Sequence, residues 1–354
     1  MATFALMQAI LEGLADPIVV VDARREVVAA NAAARALYPR DLVGRNIALS
    51  IRHPDILEAL EEVLSQESRR EAEVTLSGAV ATTYRVHVAA LDLPGAAIPA
   101  KALIAFQDLT AARQAEHMRA DFVANVSHEL RSPLTSLLGF IETLRGPARE
   151  DSAARERFLE VMDGEAKRMA RLIDELLSLS RVESEEHLPP RGRVDITGLL
   201  HEISRSLAMR AGERGMEIEV NCAADLPRAL GERDELALVF GNLIENAINY
   251  GRRDTPVTIT AERVERVPGS GVPGISISVR DRGEGIEAEH IPRLTERFYR
   301  VDKGRSRSMG GSGLGLAIVK HIANRHRGRL SIESTPGEGS DFTVILPATP
   351  DEVS

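Results

Sequence analysis

The chain has 354 residues and a formal net charge of −9, with 44% apolar and 27% charged residues. This composition is typical of a folded protein of two or three domains and excludes a disordered chain. The acidic charge and the 3% of aromatic residues argue against a protein that binds nucleic acid directly. A single cysteine, Cys222, excludes an intramolecular disulfide framework and a cysteine-based zinc site.

The sequence contains no apolar run of the roughly 18 to 20 residues that a membrane-spanning helix needs. The most apolar N-terminal stretch, Phe4 to Leu14, contains Glu12 and has no basic residues in front of it, which argues against a signal peptide or an anchor. We therefore expect a cytoplasmic protein in a reducing compartment, without a membrane span in this chain. The sequence is equally compatible with the soluble part of a longer membrane sensor.

Residues 1–110 mix short strand and helix patterns, which predicts an α/β domain. The apolar run from Ile18 to Val21 predicts a buried strand, and the alanine-rich stretch from Asn31 to Leu37 predicts a helix. Alternation in residues 84–88 and the apolar run 103–106 predict two further strands, with a hairpin loop at residues 94–99.

Residues 111–184 predict two long amphipathic helices. In the first helix the apolar residues recur every three or four positions, and the pair Gly146-Pro147 ends it. The second helix shows coiled-coil spacing from Leu159 to Leu176. Because each helix has more apolar surface than a single partner covers, we expect a hairpin that dimerises into a four-helix bundle.

His128 lies on the polar side of the first of these helices. A helical wheel places His128 and its i+4 neighbour Ser132 opposite Leu130, with Glu129 adjacent. Glu129 can accept a proton or a hydrogen bond from one ring nitrogen, which leaves the other nitrogen more nucleophilic. Pro133 predicts a loosened or kinked turn directly after this pair. Taken alone, the pair is also compatible with a surface histidine beside a chance carboxylate.

Residues 194–348 follow a proline-rich linker and mix helices with strands. The helix around Glu235 to Tyr250 has Asn242, Asn246 and Asn249 on one face and apolar residues on the other. Amide oxygens suit Mg²⁺ when phosphate oxygens and water complete its coordination. A polar solvent face is the alternative for three asparagines alone.

Two glycine-rich segments follow this helix. Asp281 stands at a strand end, where it can accept a hydrogen bond from an exocyclic amine such as adenine N6, while Gly283 and Gly285 let the backbone approach a flat ring. The run Gly310 to Gly315 leads into an apolar helix, whose free N–H groups and dipole favour phosphate. The run matches neither the Walker nor the dinucleotide-binding pattern. The segment before it, Glu296 to Arg300 and then Lys303 to Arg307, is basic and polar and predicts a mobile lid. A tight turn that caps the strand is the alternative for Asp281 to Gly285, and a solvated loop is the alternative for the lid.

Together these segments resemble the sensor histidine kinases of two-component systems over about residues 115–348. The resemblance rests on a phosphoacceptor box, an N box, a first glycine box, an F box and a second glycine box, at residues 127–135, 242–250, 281–285, 297–300 and 311–315. It implies an α+β multidomain protein with a signalling helix and dimerisation hairpin at 111–184. An α/β sandwich shared with gyrase, Hsp90 and MutL would occupy 194–348, followed by a tail at 349–354.

The resemblance also implies an activity, in which His128 attacks the γ-phosphoryl group of ATP and Glu129 acts as its base. The phosphoryl group would then pass to an aspartate of a separate response regulator. Ser132 stands where this family often has Thr or Asn, which leaves phosphatase activity on the regulator open. ATP and Mg²⁺ are the implied cofactors, with Asn242 and Asn246 holding the metal. The implied nucleotide-binding residues are Asn242, Asn246, Tyr250, Asp281, Gly283, Gly285, Ile286, Phe298, Arg300, Gly311, Gly313, Leu314, Gly315 and Leu316.

Residues 1–110 resemble a PAS sensory domain, and Ile51 to Asp55 resembles phosphate-regulon sensor kinases in particular. We expect no bound cofactor in this domain. Two other interpretations stay open. One is a chaperone or DNA-repair ATPase of the same sandwich fold, against which the box around His128 argues. The other is a degenerate scaffold without activity, against which the full set of nucleotide motifs argues.

Overall fold

The computed structural model describes residues 9–38, 42–66, 68–76, 82–91, 100–301 and 312–348. The predicted loop at 94–99, residues 303–307 of the predicted lid, Gly310 and Gly311, and the tail at 349–354 lie outside these residues. The chain divides into two units, residues 1–121 and 122–354. Among the helices of the described ranges, none combines the length and the apolar character needed to cross a lipid bilayer.

The elements of the first unit are β1 (Ile18–Asp22), β2 (Val27–Ala30), α1 (Ala32–Leu37), α2 (Pro54–Gln66), β3 (Arg69–Leu76), β4 (Thr82–Ala90) and β5 (Ala100–Asp108). The strands form a five-stranded antiparallel sheet with the order β2-β1-β5-β4-β3. Asn31 caps α1 because its Oδ1 accepts from the Ala34 and Ile18 N–H groups at 3.0 and 2.9 Å. One buried side chain therefore links the start of α1 to β1.

Two long helices follow, α3 (Thr110–Arg145) and α4 (Ser152–Glu185). Helix α3 ends directly before Gly146, as the sequence predicts. It continues through Pro133, which has no N–H, so the Glu129 carbonyl lacks its usual helical donor. Asp151 caps α4 by accepting from the Ala154 N–H at 2.9 Å.

The hairpin of α3 and α4 leaves apolar side chains uncovered within one chain. Leu134, Leu138 and Ile141 of α3 are 48%, 54% and 40% exposed, and Ile173 of α4 is 44% exposed. Side chains of this kind at three- and four-residue spacing form a stripe that is costly to leave in water.

The rest of the second unit is a two-layer α/β sandwich. Its elements are β6 (Arg193–Val194), α5 (Ile196–Gly212), β7 (Ile218–Cys222), β8 (Ala229–Leu230), α6 (Arg233–Tyr250), β9 (Val257–Val264), β10 (Gly274–Asp281), α7 (Gly315–Arg325), β11 (Arg329–Thr335) and β12 (Gly339–Pro347). The five-stranded sheet has the order β11-β12-β10-β9-β7, in which β7 and β9 are parallel and the other neighbours antiparallel.

The core of the sandwich lies between the helices and the sheet. Phe240 and Leu243 of α6 and Ile318 of α7 are fully buried, as are Ile277 and Val279 of β10. Since α6 buries its apolar face here, its asparagines are left on the opposite face. The sandwich thereby fixes the direction in which the amide side chains point.

Candidate functional site

A cavity of about 290 Å³ opens among α6, the end of β10 and the start of α7. Residues from four of the predicted motifs line it. Those that the sequence predicted are Asn242, Asn246, Tyr250, Asp281, Gly285, Ile286, Arg300, Gly313, Gly315 and Leu316. Segments that are far apart in the sequence thus meet at one concave site, as expected for a ligand pocket.

Asn242 is held in a defined orientation at this cavity. Its Nδ2 donates to the Leu238 carbonyl at 2.8 Å, and no donor among the described residues is bonded to Oδ1. That oxygen lies against the start of α7, where a Cβ on Gly315 would approach it to 2.5 Å. Glycine at position 315 is therefore what allows the first turn of α7 to approach the amide.

Asp281 is 4% exposed and lines the cavity. Burial raises the pKa of this carboxyl to about 6, against the opposing effect of N–H groups donated by Gly283 and Ser340. The Gly283 N–H reaches Oδ1 at 2.6 Å. Within the described part of the chain, no cation pairs with Asp281. A buried carboxyl that is kept without a counter-ion is typical of a functional site.

Gly283 itself does not line the cavity. A Cβ there would come within 2.5 Å of the Tyr250 carbonyl oxygen, so the residue permits close packing of two backbones. Its contribution to the site is the N–H that orients Asp281.

The second glycine box turns tightly before α7. Gly313 has a φ of +77°, and a Cβ there would lie 2.9 Å from the backbone of Phe298. Leu314 is fully buried and anchors the turn in the core. Phe298 does not line the cavity, and its ring lies 5.9 Å from that of Phe122 on α3. Gly311 lies outside the described residues.

His128 and Ser132 are exposed on α3, on the face that the helical wheel predicts. Glu129 is engaged instead, because its carboxylate accepts from Arg168 of α4 at 3.1 Å and from Arg300 at 3.4 Å. The Arg300 side chain is only 6% exposed. A small cleft that includes Glu129 also shares Glu175 and Ser312 with the main cavity. In this arrangement Glu129, and not His128, lines the small cleft beside the main cavity.

The hairpin also contacts the sandwich at several other points. Ser312 donates its hydroxyl to Glu175 of α4, and burial raises the pKa of this carboxyl. Arg297 pairs with Glu183 at 2.6 Å. A single face of α4 therefore engages side chains from both the F box and the second glycine box.

Several residues of the cavity are not predicted by the sequence. Arg171 and Glu175 come from α4, Arg210 comes from α5, and Glu245 lies in the N box between two asparagines. Nothing in the local sequence of α4 or α5 indicates a ligand site. Their place at the cavity follows from tertiary packing alone.

Three known families match the chain in succession. Residues 5–90 match the PAS fold, residues 118–185 the His Kinase A (phospho-acceptor) domain, and residues 231–350 the histidine kinase-, DNA gyrase B-, and HSP90-like ATPase. The chain belongs to the sensor histidine kinases. The predicted fold class, a PAS-like domain followed by a helical hairpin and an ATP-binding sandwich, is confirmed.

The chain is similar to sensor kinases of known name. It is 41% identical over 241 residues to the phosphate regulon sensor protein PhoR of Pseudomonas aeruginosa. The aligned region covers 68% of this chain and 53% of PhoR. It is also 42% identical over 233 residues to the sensor-like histidine kinase SenX3 of Mycobacterium tuberculosis. That alignment covers 66% of this chain and 55% of SenX3. The chain spans about half the length of these relatives. The predicted likeness to phosphate-regulon sensors is thereby confirmed.

A solved structure shares the fold. The histidine kinase ThkA, in complex with the response regulator protein TrrA, aligns with a TM-score of 0.51 at 18% identity, covering 97% of this chain and 99% of ThkA. At this identity the match supports the fold alone.

Proposed function

We propose that the chain is an ATP-dependent protein-histidine kinase that phosphorylates its own His128 and passes the phosphoryl group to an aspartate of a separate response regulator. The observation that carries this proposal is the cavity that unites Asn242, Asp281 and the turn at Gly313, next to the helix that bears His128. A nucleotide pocket and an exposed nucleophile are the two parts that such a reaction needs.

The proposed reaction has two steps. An imidazole nitrogen of His128 attacks the γ-phosphorus of ATP, a P–N bond forms, the bridging P–O bond breaks and ADP leaves, while Glu129 takes the ring proton. The regulator's carboxylate then attacks the phosphorus, and the P–N bond breaks as the imidazole regains a proton. Such transfers depend on positioning and charge neutralisation more than on covalent chemistry by the protein.

Glu129 must change partners before it serves as a base. Two arginines now occupy its carboxylate, and His128 projects about 100° away around the same helix. The arrangement described here is therefore not the one in which the phosphoryl group is transferred. A movement of α3 relative to the sandwich would release Arg300 and present His128 to the cavity.

The cavity fits a magnesium ion that is shared with phosphates. Asn242 offers a free amide oxygen, and Asn246 lies one helical turn further along the same lining. Among the described residues, no cluster of three His, Cys, Asp or Glu side chains could hold a metal by itself. Mg²⁺ is usually bound by few protein ligands together with substrate phosphates and water, where it neutralises phosphate charge.

The uncovered stripe of the hairpin favours a homodimer. Leu134, Leu138 and Ile141 lie on one side of α3, where a second copy of the hairpin would bury them in a four-helix bundle. The absence of a PAS cofactor, a cytoplasmic location, the lack of direct nucleic-acid binding and a phosphatase role of Ser132 stay predictions.

Autophosphorylation with γ-labelled ATP and Mg²⁺ tests the proposed function. We expect acid-labile, base-stable label on the wild type and on the control His201→Gln, which replaces an exposed histidine of α5, and none on His128→Gln. Label that persists in His128→Gln would move the acceptor elsewhere. ATP turnover without label, unaffected by His128→Gln, would favour another ATPase of this fold.

A further inference from the structure

Arg210 is an arginine at the cavity that belongs to none of the kinase motifs. It lies in the last turn of α5 and lines the cavity beside Glu245 and Asn249 of α6. The Nη1 atom of Arg210 lies 3.1 Å from Glu245 Oε1, and its Nη2 atom donates to Asn249 Oδ1 at 3.1 Å. Two acceptors on neighbouring turns of α6 thus fix its planar head over the asparagine face.

The charges of the cavity show why this position matters. Its described lining contains Glu175, Glu245, Asp281 and Glu284, all of which repel phosphate when ionised. A nucleoside triphosphate would add several negative charges to these. Cations in the lining are therefore needed for affinity, and the described ones are Arg171, Arg210 and Arg300.

The three arginines differ in where they are anchored. Arg171 is on α4 of the hairpin, and Arg300 is bound to Glu129 on α3. Arg210 has both of its partners on α6, inside the sandwich. Of the three described arginines that line the cavity, Arg210 is therefore the one whose position does not depend on the hairpin.

We propose that Arg210 binds the phosphates of the nucleotide, as a cation that α5 supplies to the cavity. This inference rests on the proposed function, because it assigns a residue to the same nucleotide site. A guanidinium has five N–H donors, and the bonds to Glu245 and Asn249 leave others for phosphate oxygens. Because its head is already held in place, little side-chain freedom is lost on binding.

Nucleotide affinities measured by calorimetry on the full chain test this assignment. Loss of one charge-assisted contact predicts about tenfold weaker binding of ATP and ADP to Arg210→Gln. Adenosine, which has no phosphate, should bind as it does to the wild type, and Arg210→Lys should recover part of the loss. Arg205→Gln is the matched control, since Arg205 is on the same helix, outside the cavity, and donates to the His201 carbonyl.

Glu245→Gln separates phosphate binding from a purely structural ion pair. If Arg210 binds phosphate, removing the carboxylate that competes for it should tighten ATP binding, and this gain should be lost when Arg210 is also replaced by Gln. A gain that came only from the loss of the charge of Glu245 would persist in that double variant. If the pair only joins α5 to α6, both substitutions should weaken ATP and adenosine alike, and that result would overturn the proposal. Unchanged ATP affinity in Arg210→Gln would overturn it as well. A wild type that binds no ATP would overturn the proposed function together with this inference.

Discussion

Replacing Asp281 by asparagine should stabilise the sandwich while it abolishes nucleotide binding. The carboxyl is almost fully buried and has no counter-ion among the described residues, so its ionised form is unfavourable in the folded state. We interpret the retained aspartate as a group kept for recognition at the expense of stability. An asparagine of the same shape would remove the charge. Its amide has one acceptor oxygen and one NH2 donor, so it would not reproduce the two acceptor oxygens of the carboxylate.

The size of the effect follows from the pKa of Asp281. Burial raises it from 3.8 to about 6, a difference of about 2 units. At about 1.4 kcal/mol per unit, the ionised carboxylate costs the folded state about 3 kcal/mol. The folded pKa lies above the unfolded one, so this cost is absent below pH 4, grows between pH 4 and 6, and is complete above pH 6.

The substitution also loses part of the hydrogen bonding. Gly283 and Ser340 both donate N–H groups to the carboxylate, whereas asparagine has a single acceptor oxygen, which offsets the gain by about 1 kcal/mol. The net expectation at pH 7.5 is a free energy of unfolding about 2 kcal/mol higher in Asp281→Asn. This corresponds to a rise in Tm of several degrees for a domain of this size.

Thermal denaturation at pH 7.5 and pH 5, with and without ATP, measures both effects. Without ATP, Asp281→Asn should melt above the wild type at pH 7.5, with a smaller difference at pH 5. ATP should raise the Tm of the wild type and not that of Asp281→Asn. The matched control is Asp341→Asn on β12, because burial also raises the pKa of Asp341, which does not line the cavity. A less stable Asp281→Asn at pH 7.5, or one that ATP still stabilises, would refute this reasoning.

Three further predictions concern other parts of the second unit. Burial lowers the pKa of His326 to about 4, so wild-type stability should fall as pH drops from 6.5 towards 4, and His326→Phe should reduce this dependence in acid titrations. Gly315→Ala should weaken ATP binding at least tenfold, because its Cβ displaces a cavity asparagine, whereas Gly241→Ala, with open space around it, should not. Leu138→Glu on the hairpin stripe should give monomers in light scattering, whereas Leu188→Glu, beyond α4, should leave dimers.

Each of these predictions has a result that would contradict it. An acid-stability profile that His326→Phe does not change would show that the buried ring is not a source of the pH dependence. Equal ATP affinity of both alanine variants would mean that the turn at Gly315 tolerates a side chain. A dimer that survives Leu138→Glu would place the dimer interface elsewhere.

The sequence predicts this site well where a local pattern sets the geometry. Asn242 and Asn246 share a helical face because the apolar residues of α6 define the other, and Asp281 comes at the end of a buried strand. Phe298 and Leu314 belong to the motifs, yet their side chains pack against other residues instead of lining the cavity. Motif membership alone does not distinguish a ligand contact from a packing contact.

The remaining residues could not be predicted, for a physical reason. Arg210 and Glu175 reach the cavity because α5 packs beside α6 and α4 lies along the second glycine box. Such long-range placements depend on how whole elements pack, and no spacing within α4 or α5 encodes them. The engagement of Glu129 by Arg300 likewise joins residues 171 positions apart.

The hairpin and the nucleotide draw on the same side chains. Arg300 and Ser312 line the cavity, and each has a partner on the hairpin, Glu129 and Glu175 respectively. If ATP recruits these two groups, it competes with the hairpin for them, and thermodynamic reciprocity makes the two effects equal. ATP binding would weaken the contact between the hairpin and the sandwich by the same factor by which that contact weakens ATP binding. If the proposed kinase frees these helices in response to a signal, the strength of signal needed then depends on how much ATP the cell contains.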